Sequence, residues 1–430
     1  MGEAFPWSND MRATWSIPLA FCFGLAAQDE PSKKVLAPES ESAQKEGPIR
    51  FKSFPVPEAP ALDATSATKS AIAALLALQE GEDGDQWPYE GVYREDRGQL
   101  PVGYRVGGTS IACMGLIAAP GYATDADRRA AVERGVAFVL KTLDAPRMQV
   151  EFVGNYDVRG WGHIYALQLL LHLQDHALVP KQLEEAVVVK TAWLVKALVD
   201  SAIPKSGGWN YSRPRGYRSP QNRASTFMTA PALQALFHAR ARGHDVSAEV
   251  VTQALDALER ARAKPGGYAY GSPATSQADV EEETLTMMDK TPSAAARAAA
   301  CETTLMLAGR GDPERLQRAV DLFFAHWDDL AVRKSQTGTH VMPYGIAPYY
   351  FMYGHLYAAQ AIEQIADPAR RDVLREKMRA VLARSREADG SWNDRQFGRS
   401  GGYGTALALL TLHMPHMPKP VTWSPSPAAK

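Results

Sequence analysis

Cysteine is scarce in this chain, with three residues in 430, too few for a disulfide framework. An excess of charge of one sign is also missing, since 47 Lys and Arg face 48 Asp and Glu. Nucleic acid is therefore excluded as an expected partner, because holding a phosphate backbone needs a basic footprint. The arginines at 213, 215 and 218 are too local to supply one. No apolar run reaches the roughly 20 residues that a spanning helix requires. The nearest, residues 13–27 after Met11-Arg12, has the leading charge, apolar stretch and small-residue exit of a secretory signal. Residues 1–27 are accordingly read as a signal peptide, with Met11 as the initiator and cleavage near Gly24-Leu-Ala26. The expected mature chain is exported, periplasmic or secreted, and has no transmembrane domain. Cys22 is not expected to carry lipid, because the bulky Phe21 stands just before it.

Residues 28–66, rich in Pro, Glu, Ser and Lys, lack periodicity and read as a disordered linker. What the chain does have, from residue 67 onward, is alternation. Amphipathic stretches at 67–79, 125–143, 180–201, 246–263, 313–327 and 370–386 alternate with apolar ones at 108–119, 161–173, 225–240, 292–308, 351–365 and 402–412. In 313–327, Leu316, Ala319, Val320, Phe323, Phe324 and Trp327 fall three or four apart, which gives a helix one apolar face and an outer position. Asp312-Pro313 and Asp367-Pro368 supply N-cap acceptors and first-turn prolines. The second set is apolar nearly all round and must be enclosed by other helices.

An internal repeat fixes how the two sets relate. Tyr353-Gly-His-Leu-Tyr-Ala-Ala-Gln360 nearly duplicates Trp161-Gly-His-Ile-Tyr-Ala-Leu-Gln168, and weaker copies open the other apolar helices. The third residue of the octet reads Thr109, His163, Thr229, Cys301, His355 and Thr405. The small residues and the glutamine read as the start signal of each inner helix. Six outer and inner helices in alternation bury their faces only against neighbours, and an apolar last helix argues for closure rather than an open stack. The expected architecture is an all-α, α6/α6 toroid over residues 67–415, followed by a Pro-rich tail at 416–430. Cys113 and Cys301 then stand on separate walls, beyond the ~7 Å between Cα atoms that a disulfide tolerates.

The turns before the inner helices read Asp83-Gly-Asp-Gln-Trp87, Gly207-Gly-Trp209, Gly266-Gly-Tyr268 and Asp389-Gly-Ser-Trp392. This pattern resembles the prenyltransferase and squalene-cyclase repeat family over the whole chain after the linker. Glycine ends the outer helix at positive φ and the aromatic residue fills the wedge between hairpins. The family's activities do not carry over as a block. The cyclase acid motif Asp-x-Asp-Asp is reduced to Asp125-Ala-Asp127-Arg128, at the start of an outer helix, where it reads as a cap. The thioester motif is replaced by Cys301-Glu-Thr-Thr304. Zinc prenyltransferases take ligands from a His opening an inner helix, from a Cys, and from an Asp two residues before that Cys. His355 and Cys301 match two of these roles, whereas Ala299 occupies the third place, leaving Glu302 or His340 as substitutes.

Two readings of the third-position ring stay open. In one, its Thr, Cys and His side chains cap and pack the first turns of the inner helices. In the other they face one mouth of the toroid, bringing His163, Cys301 and His355 to one level as metal ligands, with zinc the metal their chemistry suits. Without metal, His163 or His355 would act as acid or base beside Asp157, Glu302 or Asp394. Trp161, Tyr353 and Tyr357 are candidates to contact a ligand, either a small apolar molecule or a glycan that stacks on aromatic rings. Beside a zinc-dependent isoprenoid-type transferase or cyclase and a polysaccharide-processing toroid enzyme, a noncatalytic interaction scaffold is the third alternative. The sequence sets neither a cofactor other than zinc nor an oligomeric state.

Overall fold

A computed structural model of the chain describes residues 62–425, apart from 92, 96–97, 155–156, 213–222, 265, 336–339, 341–342 and 395–398. The expected signal peptide, nearly all of the linker, the arginines at 213, 215 and 218 and the last five residues lie outside the described ones. The described residues form α1 (Ala64–Ala77), α2 (Val102–Ala118), α3 (Ala126–Thr142), α4 (Arg159–Asp175), α5 (Glu184–Ser201), α6 (Thr226–Ala241) and α7 (Ala248–Arg260). They continue with α8 (Thr291–Leu307), α9 (Pro313–Ala325), α10 (Trp327–Ala331), α11 (Tyr350–Ile362), α12 (Pro368–Ser385) and α13 (Ser400–His413). Among them the only β pairing is in isolated bridges, two within turns and one, Ser225 with Gly271, between the turns before α6 and α8.

The even helices through α8, then α11 and α13, form the inner layer. Each packs on the next in the order α2, α4, α6, α8, α11, α13, and α13 packs back on α2, so the ring is closed. An α6/α6 toroid is therefore the fold.

Inner and outer helices begin in different ways, for a solvation reason. Outer helices start in the open and, except for α5, which follows a 3-10 turn, carry side-chain caps, as Asp63 does for α1, Asp125 for α3, Ser247 for α7, Asp312 for α9 and Asp367 for α12. At no inner helix does the residue just before the first turn supply one, although Glu95, Asp157 and Glu282 accept from the first N–H of α2, α4 and α8. Other free N–H groups are met by the neighbouring repeat. Gly103 donates to the Asp157 carbonyl (3.0 Å), Gly160 to that of Tyr211 (2.8 Å) and Thr226 to that of Tyr270 (3.0 Å). The start of one inner helix is thus tied to the turn before the next.

Outer and inner layers are joined by the turn tryptophans. The backbone N–H of Trp87, Trp209 and Trp392 donates to Thr109, Thr229 and Thr405 at 2.9, 3.1 and 3.0 Å. The indole N–H of each reaches the last turns of the preceding outer helix, at the carbonyls of Leu75, Leu198 and Leu382. Glycine precedes the second of these for a geometric reason. Gly208 sits at φ +79°, and a Cβ there would lie 2.7 Å from Thr229 Oγ1.

One element departs from the periodicity. The apolar stripe at 313–327 predicts a single outer helix, but α9 ends at Ala325 and α10 starts at Trp327. Trp327 is turned inward, where its indole N–H donates to His355 Nε2 at 2.8 Å, and the chain breaks at His326 to allow it.

Candidate functional site

The faces of the inner helices decide what the octet can do. At about 100° per residue, the first, fifth and eighth positions share one face and the third points the opposite way. The first, fifth and eighth positions face the lumen, and the third faces the outer layer. All six third-position side chains, Thr109, His163, Thr229, Cys301, His355 and Thr405, are fully buried at 0% exposure.

His163 and His355 are held as structural groups. His163 Nε2 bonds the Met148 carbonyl at 2.8 Å and its ring meets Trp193 edge-on. His355 accepts from Trp327 at Nε2, so its Nδ1–H donates to the Phe351 carbonyl at 2.7 Å, which fixes the neutral tautomer. Burial pushes both imidazoles down to about 4. Cys301 packs in the core, and burial pushes its thiol well above the usual range. His163, Cys301 and His355 do not converge. Among the described residues no three His, Cys, Asp or Glu side chains are grouped to hold a metal.

The carboxylates paired with these histidines on sequence grounds are engaged elsewhere. Asp157 forms a buried ion pair with Arg159 (2.9 Å), and burial nevertheless raises its pKa. Glu302 accepts from the Tyr268 hydroxyl at 2.7 Å and pairs with Arg262 at 3.2 Å. Asp394 is near the Tyr89 hydroxyl at 3.4 Å. The last two therefore serve the turns before α8 and α13 rather than a histidine.

The lumen itself has two halves. Towards the N-terminal ends of the inner helices it is filled with rings. Phe227 lies 4.3 Å from Tyr353, Tyr89 lies 4.7 Å from Tyr403, and Trp161 lies 6.1 Å from Tyr403 between ring centroids. Trp161 and Tyr353, expected to contact a ligand, belong to this layer and are 3% and 0% exposed.

Towards the C-terminal ends the lumen opens into a cavity of about 210 Å³. The fifth positions Ile111, Tyr165, Tyr357 and Leu407 and the eighth positions Met114, Gln168, Gln234, Gln360 and Leu410 line it. Tyr357 alone of the expected ligand residues is in this wall. The glutamines, which read as a helix-start signal, form a polar belt instead. Gln234 and Gln360 exchange reciprocal amide bonds at 3.0 Å, Gln234 also donates to Thr304 Oγ1 at 3.0 Å, and Gln168 donates to the Pro231 carbonyl at 3.3 Å. Pro231 has a part in this. Lacking an N–H, it frees the Phe227 carbonyl four residues back, and the Tyr353 hydroxyl donates to that carbonyl at 3.3 Å.

At the rim, His172, Asp175, His176 and His238 surround the mouth. His238 Nε2 is 2.5 Å from Asp175, which also holds Arg242. The rings of His172 and His176 meet at a tilt with centroids 4.5 Å apart, and burial first, then His176, pushes His172 down to about 4. The sequence carried the signal for this wall in the spacing of octet positions one, five and eight. The two histidine-bearing copies drew attention to the opposite face.

No protein-family model matches the sequence, and no curated protein matches it. Solved structures do. Unsaturated glucuronyl hydrolase from Streptococcus agalactiae superimposes with a TM-score of 0.52 at 12% identity, covering 87% of this chain and 98% of that one. A type II terpene cyclase from Scytonema, in complex with geranylgeranyl dihydroxybenzoate, gives 0.47 at 13% identity and covers 81% and 95%. D-mannose isomerase gives 0.48 at 11% identity, with 82% and 97% covered. At 12% identity the likeness to the hydrolase is one of fold alone. No helix among the described residues is long and apolar enough to cross a membrane.

Proposed function

We propose that the chain is an exported toroid that binds one small, largely apolar molecule in the open half of its lumen. The reading rests on one observation, the make-up of the cavity of about 210 Å³. Its floor and sides are Ile111, Met114, Tyr165, Tyr357, Leu407 and Leu410, the belt of Gln168, Gln234 and Gln360 gives hydrogen-bonding groups inside it, and His172, Asp175, His176 and His238 stand apart at the rim. An apolar body with one hydrogen-bonding end matches that division, since few, placed polar groups in an apolar wall set a ligand's orientation. The sealed histidines His163 and His355 take no part in it.

A second reading, a short glycan, is favoured by the glutamine belt and by the His238–Asp175 pair at the rim. The two are separated by titrating the purified protein with N-phenyl-1-naphthylamine and with xylotriose. Saturable fluorescence enhancement of the probe, lost when Leu407→Trp fills the cavity floor, supports the apolar reading. Binding of the sugar but not the probe favours the glycan, and binding of the probe to L407W with unchanged affinity overturns a luminal site. Export is tested by N-terminal sequencing of the mature protein. A chain that keeps residues 1–27 overturns it.

A further inference from the structure

The C-terminal segment lies across the mouth of the luminal cavity. After α13 a single 3-10 turn, Met414–His416, redirects the chain, and Met417, Pro418, Lys419, Pro420 and Val421 then form part of the cavity wall. Beyond the mouth the segment is pinned on the far side of the ring. Trp423 donates its N–H to the Leu307 carbonyl at the end of α8 at 2.8 Å, and its ring packs on Phe237 of α6 with centroids 5.4 Å apart. Arg240 of α6 holds the Pro425 carbonyl at 2.8 Å. The strap thus spans from α13 to α6 and α8, over the lumen.

Its two ends and its middle are built differently. The Trp423 anchor is a ring contact and a hydrogen bond, and the turn at Met414–His416 is continuous with α13. Between them Pro418 and Pro420 have no N–H to give, so the middle is secured by side-chain contact with the cavity mouth. The opposite route into the lumen is closed by the layer of Tyr89, Trp161, Phe227, Tyr353 and Tyr403, none more than 3% exposed. Displacing that layer breaks interlocked ring contacts on α4, α6, α11 and α13, whereas displacing the strap breaks the Trp423 contacts and the Arg240–Pro425 bond beside them.

We infer that the strap is the gate of the lumen, and that release of the Trp423 anchor is the motion that admits a ligand. This rests on the luminal cavity being the binding site, but access can be measured without any ligand. Leu410→Cys places a thiol in the cavity wall, and Cys113 and Cys301, both at 0% exposure, serve as internal reporters of unfolding. The full-length L410C protein and its W423A derivative are treated with methyl methanethiosulfonate, and labelling at each thiol is followed by mass spectrometry. Removing the ring half of the anchor, which leaves the backbone bond to Leu307 in place, should speed labelling of the introduced thiol by about tenfold or more while Cys113 and Cys301 stay unlabelled, as expected when local opening limits access. Equal rates with the two native cysteines protected overturn the gate. Should W423A expose the native cysteines, Arg240→Ala, which frees only the Pro425 end, decides by the same comparison.

The two ideas can fail separately. N-phenyl-1-naphthylamine should shield the introduced thiol. If W423A accelerates labelling but the probe gives no protection, the gate stands and the luminal binding of an apolar molecule falls.

Discussion

The two histidine-bearing octets each have two faces, and the faces have opposite fates. The third position of each, His163 or His355, points away from the lumen into a seam between helices, where no solvent reaches it. The fifth and eighth, Tyr165 with Gln168 and Tyr357 with Gln360, point into the lumen and line its cavity. The residue type with the most chemistry on paper is the one locked into structure, and the less conspicuous glutamine is left with a surface to act on. A side chain's reactivity counts only where the helix turns it towards something that can react.

The contrast yields measurements in which the outer face should govern stability and the inner face binding. The largest effect should come from Trp392→Ala. The indole is fully buried and its N–H holds the Leu382 carbonyl at 2.9 Å, so its removal should cost about 3–5 kcal/mol in urea denaturation. A loss below about 1 kcal/mol would mean that the turn tryptophans are not what joins the layers.

Next comes His355→Ala, which leaves a cavity and strips the Trp327 indole of its acceptor, for a loss of about 2–4 kcal/mol. The same histidine predicts a pH dependence. Its folded-state value, pushed down to about 4 by burial, lies below that of the unfolded chain, near 6.5. Between these two values the unfolded chain holds a proton that the native one does not. Stability should therefore be full above about 6.5, fall as the pH drops from there to about 4, and flatten below. At about 1.4 kcal/mol per unit the contribution is on the order of 3 kcal/mol, and His163 adds one of the same sign. Denaturation of the parent protein at pH 7.5 and 4.5, compared with His355→Gln, isolates the histidine's share; an equal pH response in both would place the titration elsewhere.

The smallest effect should be on the lumen face. Gln360→Leu should change stability by no more than about 1 kcal/mol, because Gln234 keeps its bond to Thr304. It should still weaken N-phenyl-1-naphthylamine, whose amine N–H seeks an acceptor, by about threefold to tenfold, the worth of one hydrogen bond. A variant that unfolds readily yet binds normally would reverse the comparison.

Much of the fold was legible because it is periodic. Asp312 and Asp367 were readable as caps from the prolines after them, and both accept the N–H they should. The turn tryptophans were readable as wedge fillers from the glycines before them. The break between α9 and α10 was not, because the apolar stripe runs unbroken through Trp327; only the partner across the seam, His355, draws that indole inward. The direction of the third-position side chains was hidden for a related reason. His163, Cys301 and His355 share a register along their helices, and register gives height in the ring but not direction. Cys113 shows the same, buried towards α3 with its thiol donating to the Val132 carbonyl at 3.9 Å.

Alternation of amphipathic and apolar helices, and the octet that starts each inner one, were determined by the sequence alone, because helix periodicity and capping act within a few residues of one another. The tertiary structure decided the rest. Closure brought α13 against α2, filled one half of the lumen with rings from different repeats, left the other half open, and drew the C-terminal segment over it. Those outcomes depend on contacts between residues distant along the chain, whose distances and directions are set only when all six walls are in place.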